Sequence, residues 1–439
     1  MRLFSTNHRS PIIGFREAIR QGLAPDGGLY QPLDLPRFGE ADLRAWRGLR
    51  FDAIARHLAQ RLLEGEFAPE SLDRVVDGAL DFPVPARQLG EGLSLLELFH
   101  GPTLAFKDFG ARFLARLFSE LLREDGEHAM ILVATSGDTG SAVARGFAGV
   151  AGTRVVVLYP AGKVSPFQEA QMATIGGNVT AVRVAGVFDD CQRLVKSAIL
   201  DPDLAPLRLS SANSINIGRL LPQTFYYVSG YLDVDVRPGE PVVFAVPSGN
   251  LGNLTAGVMA ARMGLPVARF IAATNANDVL PEYLDSGGFR PRASVPTLSN
   301  AMDVGDPSNF ARLAAMYDGS AARMGEDIAG LRVSETETRA AIRDASRQCG
   351  TVLDPHAAVA YSAALRFRHA AGSGTPIVVL ATAHPAKFAD VIREELGFEP
   401  ELPVSERNWR SRPLLAVDLP LASPAAFKDL LTGLSARPS

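Results

Sequence analysis

Apolar residues beyond about residue 129 form short continuous runs, separated by longer segments in which they recur with helical spacing. The runs are rich in β-branched residues, and most precede a Gly, Ser or Asn turn and then a helical pattern. Continuous apolar strands that alternate with helices are typical of a mostly parallel sheet covered on both faces. We therefore predict an α/β fold with strands at 129–134, 154–159, 179–184, 242–247, 269–274 and 376–382.

The two ends of the chain follow other patterns. Residues 1–95 contain helical stretches, such as 41–63, and a Gly/Pro-rich segment at 22–32, and they read as a separate N-terminal part. The last segment, 401–439, is rich in Pro, Leu and Ser and predicts an irregular tail. In the middle of the chain, the sequence SPFQ at 165–168 predicts a helix with a capping box and a proline in its first turn.

Composition narrows the classes of function. The formal net charge of the 439 residues is −4, from 44 Lys and Arg against 48 Asp and Glu, which argues against a nucleic-acid or membrane partner. Seven scattered histidines without HxxxH or CxxC spacing predict no metal site. Two cysteines, no secretory signal pattern and no apolar run of about 18 residues predict a cytoplasmic protein.

The segment ELFHGPTLAFKDFG at 97–110 places Lys107 between an apolar stretch and a predicted helix. Both the positive end of the helix and the apolar surroundings disfavour an ammonium group, so they lower the pKa of Lys107. A neutral amine is what imine formation requires. The alternative is a surface lysine paired with Asp108, and the local sequence does not decide between the two.

Two Gly-rich turns follow predicted strands, TSGDTG at 135–140 and PSGNLGN at 247–253. Backbone N–H groups of such turns, placed at a helix N-terminus, suit a phosphate or a carboxylate. A side chain at Gly249 or Gly252 would block that approach and would strain any positive φ angle. The alternative for TSGDTG is an ordinary capped turn, since Ser, Thr and Asp all cap helices.

Two further segments carry polar side chains. SANSINIGRLL at 211–221 brings several amides close to Arg219, which a capped helix start does not explain. LATAHPAKF at 380–388 ends a predicted strand at Thr382, whose hydroxyl could meet a ring nitrogen; a simple turn at Pro385 is the alternative.

Taken in order, GLAPDGGLYQP, ELFHGPTLAFKDFG, ATSGDTG, YPAGKVSPFQ, SSANSIN, VPSGNLGN, TLSNAMDVGDPSN and DPHAAVAY resemble threonine synthase of the long microbial and fungal type. The matches run from about residue 20 to 390, and their shared order makes the resemblance specific. The resemblance implies the fold of the tryptophan synthase β chain, with two open, mostly parallel α/β domains and pyridoxal phosphate (PLP) in the cleft between them. The implied division is an N-terminal domain at 1–95, a small α/β domain at 96–225, a large α/β domain at 226–400 and a C-terminal tail at 401–439.

The resemblance also implies residue roles. Lys107 matches the lysine that forms an imine with PLP, and Asp138 matches the polar residue near the 3′-oxygen of its ring. Thr382 matches the residue that meets the pyridine nitrogen. The loop that cradles the PLP phosphate matches Gly249, Asn250, Leu251, Gly252 and Asn253. The usual family loop reads GNFGD, so Leu251 and Asn253 are departures from it.

The implied reaction converts O-phospho-L-homoserine and water to L-threonine and phosphate, and Lys107 takes the proton from Cα. The candidate substrate-binding residues are Thr135, Ser136, Lys163, Ser165, Asn216 and Arg219. A PLP-dependent dehydratase or phospho-lyase that releases 2-oxobutyrate, and a PLP-binding protein without catalysis, are the alternatives. We expect a monomer or a homodimer.

Overall fold

The computed structural model describes residues 1–372, 374–420 and 423–435. Its strands are β1 (Arg2–Ser5), β2 (Ile13–Gly14), β3 (Tyr30–Pro32), β4 (Ala86–Gly90), β5 (Leu93–Glu97), β6 (Ala129–Ala134), β7 (Thr153–Pro160), β8 (Val179–Val184), β9 (Leu209–Ser211), β10 (Val242–Pro247), β11 (Val267–Thr274), β12 (Ile328–Arg332), β13 (Ile377–Ala381) and β14 (Val417–Leu419).

The helices lie between these strands. They are α1 (Phe15–Gln21), α2 (Glu40–Trp46), α3 (Phe51–Leu62), α4 (Pro69–Ala79), α5 (Lys107–Asp125), α6 (Asp138–Phe147), α7 (Pro166–Ala173), α8 (Phe188–Ile199), α9 (Ile217–Leu220), α10 (Gln223–Leu232), α11 (Gly252–Met263), α12 (Val279–Ser286), α13 (Phe310–Met316), α14 (Ala321–Asp327), α15 (Glu335–Cys349), α16 (Pro355–Ala371), α17 (Ala389–Leu396) and α18 (Pro424–Ser435). Short 3-10 turns lie at Pro202–Leu207, Asn300–Met302, Pro385–Phe388, Val404–Glu406 and Trp409–Ser411. Within the described residues, none of the helices combines the length and the apolar character needed to span a bilayer.

Two sheets form the framework of the molecule, which confirms the predicted α/β class. The five-stranded sheet has the order β14-β8-β7-β6-β9, and all its strands are parallel. The six-stranded sheet has the order β12-β11-β10-β13-β5-β4 and is parallel except for the antiparallel edge strand β4. The predicted strands at 129–134, 179–184 and 242–247 have the observed bounds. Helices cover the buried strands because these strands are apolar on both faces.

The chain enters these sheets in an order that the sequence pattern does not show. β4 and β5, at 86–97, join the six-stranded sheet although the other strands of that sheet follow residue 241. β14 returns from near the C-terminus to pair with β8. The prediction of an irregular C-terminal tail is therefore wrong. The tail folds because Phe427, Leu431 and Leu434 recur at helical spacing and bury one face of α18 in the core of the five-stranded sheet.

The N-terminal part contains a three-stranded antiparallel sheet, β2-β1-β3, followed by α2 to α4. The predicted helical stretch at 41–63 is divided in two, because Gly48 adopts a positive φ of 82° between α2 and α3. The helices α3 and α4 pack on α10 and α5 of the main body. A contiguous hydrophobic core therefore joins the N-terminal part to the helix that begins at Lys107.

An aromatic cluster lies at that junction. Phe109, on the first turn of α5, packs edge-on against three rings: Phe51 at a centroid distance of 5.5 Å, Phe82 at 4.9 Å and Tyr226 at 5.2 Å. Its side chain is completely buried. Large aromatic side chains bury much apolar area, and edge-to-face pairs add to this stabilisation.

We expect Phe109→Ala to destabilise the folded protein by about 3–5 kcal/mol, because it opens a cavity between α3, α5 and α10. The measurement is the midpoint of thermal and urea unfolding. Phe398→Ala is the control, because Phe398 is 46% exposed and a surface change of this kind usually costs under about 0.5 kcal/mol. Equal unfolding midpoints for the two variants would show that the cluster around Phe109 does not stabilise the packing of the N-terminal part on the main body.

Candidate active site

Lys107 is the first residue of α5, and a strand-like contact fixes the segment before it. The N–H of Phe106 donates to the carbonyl of Thr382 at 2.9 Å, and the N–H of His384 donates to the carbonyl of Leu104 at 3.0 Å. These bonds hold the residues after β13 beside the residues before α5. Thr382 therefore lies beside Phe106, the residue that precedes Lys107. The Lys107 side chain is only 16% exposed.

The ammonium group of Lys107 faces a buried carboxylate that is shared by several donors. Asp138 begins α6, and its Oδ2 lies 3.6 Å from Nζ of Lys107. Its Oδ1 accepts a hydrogen bond of 2.6 Å from Nζ of Lys387 and one of 2.9 Å from Nε2 of Gln168. Nζ of Lys387 also donates to the carbonyl of Thr103 at 3.1 Å. The cluster joins α5, α6, α7 and the turn at Pro385–Phe388.

Burial and the neighbouring charges set the protonation of this cluster. Burial lowers the pKa of Lys107; the carboxylate of Asp138 opposes this shift, and the positive charges of Lys387 and Arg219 add to it. Burial disfavours the ionised form of Asp138, but Lys387 and Lys107 outweigh it and hold the pKa of that carboxyl far below its usual range. A lysine with a lowered pKa beside a permanent carboxylate suits a group that gains and loses protons during a reaction.

The alternative of a surface lysine paired with Asp108 does not hold. Asp108 is completely buried, and its carboxylate accepts hydrogen bonds of 2.8 Å from both the N–H and the Oγ1 of Thr103. Burial raises the pKa of Asp108 to about 6, although the bonds from Thr103 oppose this shift. Asp108 therefore stabilises the turn before α5, and the carboxylate that pairs with Lys107 is that of Asp138.

The loop from Gly249 to Asn253 leads from β10 into α11 and has the form of an anion cradle. Among the described residues, no hydrogen-bond acceptor is found for the backbone N–H groups of these five residues, which lie at the positive end of the helix. The side chain of Asn250 is used to fix the loop: it donates to Oγ of Ser214 at 2.8 Å and accepts from the N–H of Ser308 at 2.7 Å. The cradle therefore offers backbone donors in a fixed arrangement.

Two expectations about this loop need correction. The positive φ lies at Leu251, with 61°, and not at Gly249 or Gly252. The side chain of Asn253 is turned into the loop, because its Oδ1 accepts from Oγ of Ser248 at 2.7 Å and its Nδ2 donates to the carbonyl of Pro247 at 2.8 Å. Only the backbone N–H of Asn253 is left for a phosphate. The replacement of the usual aspartate by asparagine therefore changes no direct contact between this side chain and the phosphate.

A buried arginine supports the cradle from behind. Arg312 is fully buried and donates to Oδ1 of Asn309 at 2.6 Å, to the carbonyl of Ile215 at 2.6 Å and to the carbonyl of Tyr30 at 3.0 Å. Asn309 in turn donates to the carbonyl of Asn250 at 3.1 Å. Burial lowers the pKa of Arg312 to about 9. The guanidinium group therefore ties the phosphate loop to the N-terminal sheet through neutral acceptors.

Four of the predicted substrate-binding residues have other bonding partners or lie at the surface. Oγ1 of Thr135 accepts from the N–H groups of Gly137 and Gly140, so it caps α6. Ser165 caps α7 with Gln168, as the sequence predicts, and both it and Ser136 are exposed. The structure does not support Asn216 as a substrate ligand. Its side chain is completely buried and makes three hydrogen bonds of 2.9 to 3.0 Å to backbone groups.

Arg219 and Lys163 differ sharply in their surroundings. Arg219 is 4% exposed, and its Nη1 donates to the carbonyl of Ala212 at 2.8 Å, whereas its buried Nε has no partner. Among the described residues Arg219 forms no ion pair; burial lowers its pKa to about 10, and the charge of Asp108 opposes this shift. Lys163 is exposed after β7. Arg219 is therefore a buried cation with a free donor near Lys107, as an anion site requires.

The sequence reasoning missed Lys387, Gln168 and Arg312 as parts of the site. Lys387 could have been found by the rule that located Thr382, since both follow the carboxyl end of β13. Gln168 was identified only as a capping residue, and Arg312 has no local signal because all of its partners except Asn309 lie far away along the chain. The residues fit PLP: an amine with a lowered pKa, a cradle of backbone N–H groups and a neutral residue, Thr382, beside them.

The fold and this site define the class of the protein, a PLP-dependent enzyme. Residues 80–383 match the family model for pyridoxal-phosphate dependent enzymes. Two further models match the ends of the chain, the threonine synthase N terminus at 2–80 and the threonine synthase C-terminal model at 357–431. The chain belongs to the threonine synthase family, which confirms the resemblance found in the sequence.

Curated and solved relatives agree with this assignment. A threonine synthase of Serratia marcescens is 44% identical over 441 residues, which cover 99% of this chain and 100% of that protein. The structure of PLP-bound threonine synthase from Brucella melitensis has a TM-score of 0.93 and 36% identity, and the match covers 100% of both chains. Threonine synthase from Escherichia coli has a TM-score of 0.90 and 40% identity over 99% of this chain and 100% of that one.

We expect Gly249→Ala and Gly252→Ala to weaken PLP binding for different reasons. A Cβ at Gly249 would lie 2.6 Å from Cα of Met302, so the loop must move and the thermal stability of the cofactor-free protein must fall. A Cβ at Gly252 meets nothing closer than 3.4 Å. It should leave that stability unchanged and should weaken PLP about tenfold or more, about 1.4 kcal/mol, by blocking the phosphate. The measurements are thermal unfolding without PLP and a PLP titration. Unchanged PLP affinity in the Gly252 variant would remove this loop from the cofactor site.

Proposed function

We propose that this member of the family converts O-phospho-L-homoserine and water to L-threonine and phosphate. Two features support the proposal: a loop of backbone N–H groups at the start of α11 that are unengaged among the described residues, and a buried arginine whose charge acts on Lys107. The cradle at Gly249–Asn253 suits the phosphate of the cofactor. Arg219, buried near Lys107 and without a carboxylate partner, suits the phosphate of a substrate whose reacting carbon lies at that amine.

We assign the cofactor contacts as follows. Lys107 would hold PLP covalently, the N–H groups of Gly249–Asn253 would bind its phosphate, Asp138 would contact the 3′-oxygen and Thr382 would contact the pyridine nitrogen. When bound, PLP supplies an electron sink for the charge left at the substrate carbon next to the amine. A neutral residue at the ring nitrogen, rather than a carboxylate, tempers that withdrawal.

Lys107 is the group that moves protons. Its lowered pKa favours the neutral form, which would take the proton from Cα. The same nitrogen would then take the proton from Cβ, whose loss accompanies departure of phosphate from Cγ. Asp138 stays ionised throughout and so stabilises each protonated state of Lys107.

We assign the substrate contacts from how deeply each candidate side chain is buried. Arg219 offers the unpaired Nε and a planar fork suited to two phosphate oxygens. Lys163 is exposed, so its charge guides the phosphate toward the site and contributes less to binding. We assign the substrate carboxylate to the exposed Ser136 of the loop before α6, whereas Thr135 shapes that loop, because its N–H and its hydroxyl are already hydrogen-bonded. A cytoplasmic location and a monomeric or homodimeric state stay predictions of the sequence.

We expect the parent protein, mixed with O-phosphohomoserine, to release phosphate and threonine in equal amounts. Separate assays for phosphate, threonine and 2-oxobutyrate distinguish the three functions considered above. A dehydratase or phospho-lyase would form 2-oxobutyrate in place of threonine, and a pure binding protein would release no phosphate. Lys107→Ala should reduce turnover at least about 100-fold, because the proton transfers lose their base.

The same proposal predicts the site of covalent attachment. Borohydride treatment of the yellow parent protein, followed by peptide mapping, should place the reduced cofactor on Lys107. Lys196→Ala is the control for both measurements, because Lys196 is exposed on α8. Recovery of the label on Lys163 or Lys387 would contradict the assignment.

We expect Arg219→Met to lower kcat/KM for O-phosphohomoserine by about 2–4 kcal/mol, the cost of a desolvated contact to a charged group. Lys163→Met should cost under about 1 kcal/mol, because an exposed charge is screened by solvent. Both variants should still bind PLP, and inorganic phosphate should inhibit the Arg219 variant less than the parent. An Arg219 variant within about threefold of the parent in kcat/KM would show that Arg219 does not bind the substrate phosphate.

A further inference from the structure

Lys387 is a buried ammonium group that the proposed mechanism does not use. Its side chain is 1% exposed, and it lies on the turn at Pro385–Phe388, just after β13. Nζ donates to Oδ1 of Asp138 at 2.6 Å and to the carbonyl of Thr103 at 3.1 Å. A buried charge is costly unless it is paired and hydrogen-bonded, so this lysine is held in place by Asp138.

The charges of the cluster can be counted in two states. Asp138 is ionised and has two lysines within reach, Lys387 at 2.6 Å and Lys107 at 3.6 Å. When Lys107 is neutral, Lys387 and Asp138 still form a neutral pair. Without Lys387, a neutral Lys107 would leave Asp138 as an uncompensated buried carboxylate, which is strongly unfavourable. The shorter of the two ion pairs is thus the one between Lys387 and Asp138, and the reacting amine of Lys107 has no part in it.

The other charged groups near Lys107 do not replace this pair. Arg219, on α9, repels a proton at Lys107 as Lys387 does, but it is not in contact with Asp138. Asp108 accepts hydrogen bonds from Thr103, and the charge of Lys387 also favours its ionised form, but the carboxylate of Asp108 is not bonded to either lysine. Gln168 bonds to Oδ1 of Asp138 but carries no charge.

We propose that Lys387 is a positioning residue that neutralises Asp138, so that the nitrogen of Lys107 can release its proton inside the site. The inference deepens the proposed function, on which its kinetic part rests. The lowered pKa of Lys107, to which the charge of Lys387 contributes after burial, is consistent with it. A merely structural role for Lys387 would affect stability without changing the protonation of Lys107.

The test compares Lys387→Met, which removes the charge, with Lys387→Arg, which keeps it. Two readouts are recorded on each holoenzyme: the pH dependence of kcat, and the pH titration of the absorbance of the bound cofactor without substrate. In Lys387→Met the acidic limb of kcat and the absorbance titration should both move to higher pH by about 1 unit or more, the scale of one nearby charge. In Lys387→Arg they should return at least halfway to the parent values.

Lys387→Gln replaces Lys387→Met if the latter does not fold, because an amide keeps a hydrogen-bond donor for Asp138 without the charge. Lys196→Met is the matched control at an exposed position and should leave both readouts unchanged. Titrations of the charge-removing variant within about 0.3 units of the parent (under about 0.5 kcal/mol) would overturn the proposal. The absorbance titration needs no substrate, so it tests Lys387 even if the product assays contradict the proposed function.

Discussion

The site depends on one buried carboxylate. Asp138 is the point at which α5, α6, α7 and the turn after β13 meet, and its oxygens bind two lysines and an amide. A buried ionised carboxylate is tolerable only with its full set of partners, so each of these elements is held in position by the need to satisfy it. The same interaction sets the protonation of Lys107, so the geometry and the acid–base chemistry of the site have a common origin.

The topology explains how residues so far apart in sequence come to share one carboxylate. Asp138 follows β6 of the five-stranded sheet, whereas Thr382 and Lys387 follow β13 of the six-stranded sheet. In parallel sheets the carboxyl ends of the strands lie at one edge, and the loops that leave them converge there. The phosphate cradle follows the same rule after β10. Each functional loop is thus placed by a strand whose apolar residues have no role in the chemistry.

Much of this could be predicted from the sequence, because apolar runs mark buried strands and Gly-rich turns at their ends mark the loops. Lys107 and the loop at 249–253 were predicted as cofactor contacts in this way. The failures have a different cause. Asn216 and Arg219 look alike as polar residues of one segment, but only tertiary contacts show that the first bonds to backbone groups while the second keeps a free donor. The ordered C-terminal helix was missed because its apolar residues have a core to pack against only when β14 is paired with β8. The local sequence does not show that pairing.

Arg312 has a consequence for how the enzyme is made. Its guanidinium group joins the phosphate loop to the carbonyl of Tyr30, which lies 282 residues earlier in the chain. Synthesis proceeds from the N-terminus, so the first sheet leaves the ribosome long before the residue that will fasten it to the cofactor loop. Contacts of such long sequence separation form late and slowly in folding. The contact that fastens the first sheet to the cofactor loop can therefore form only after residue 312 has been synthesised.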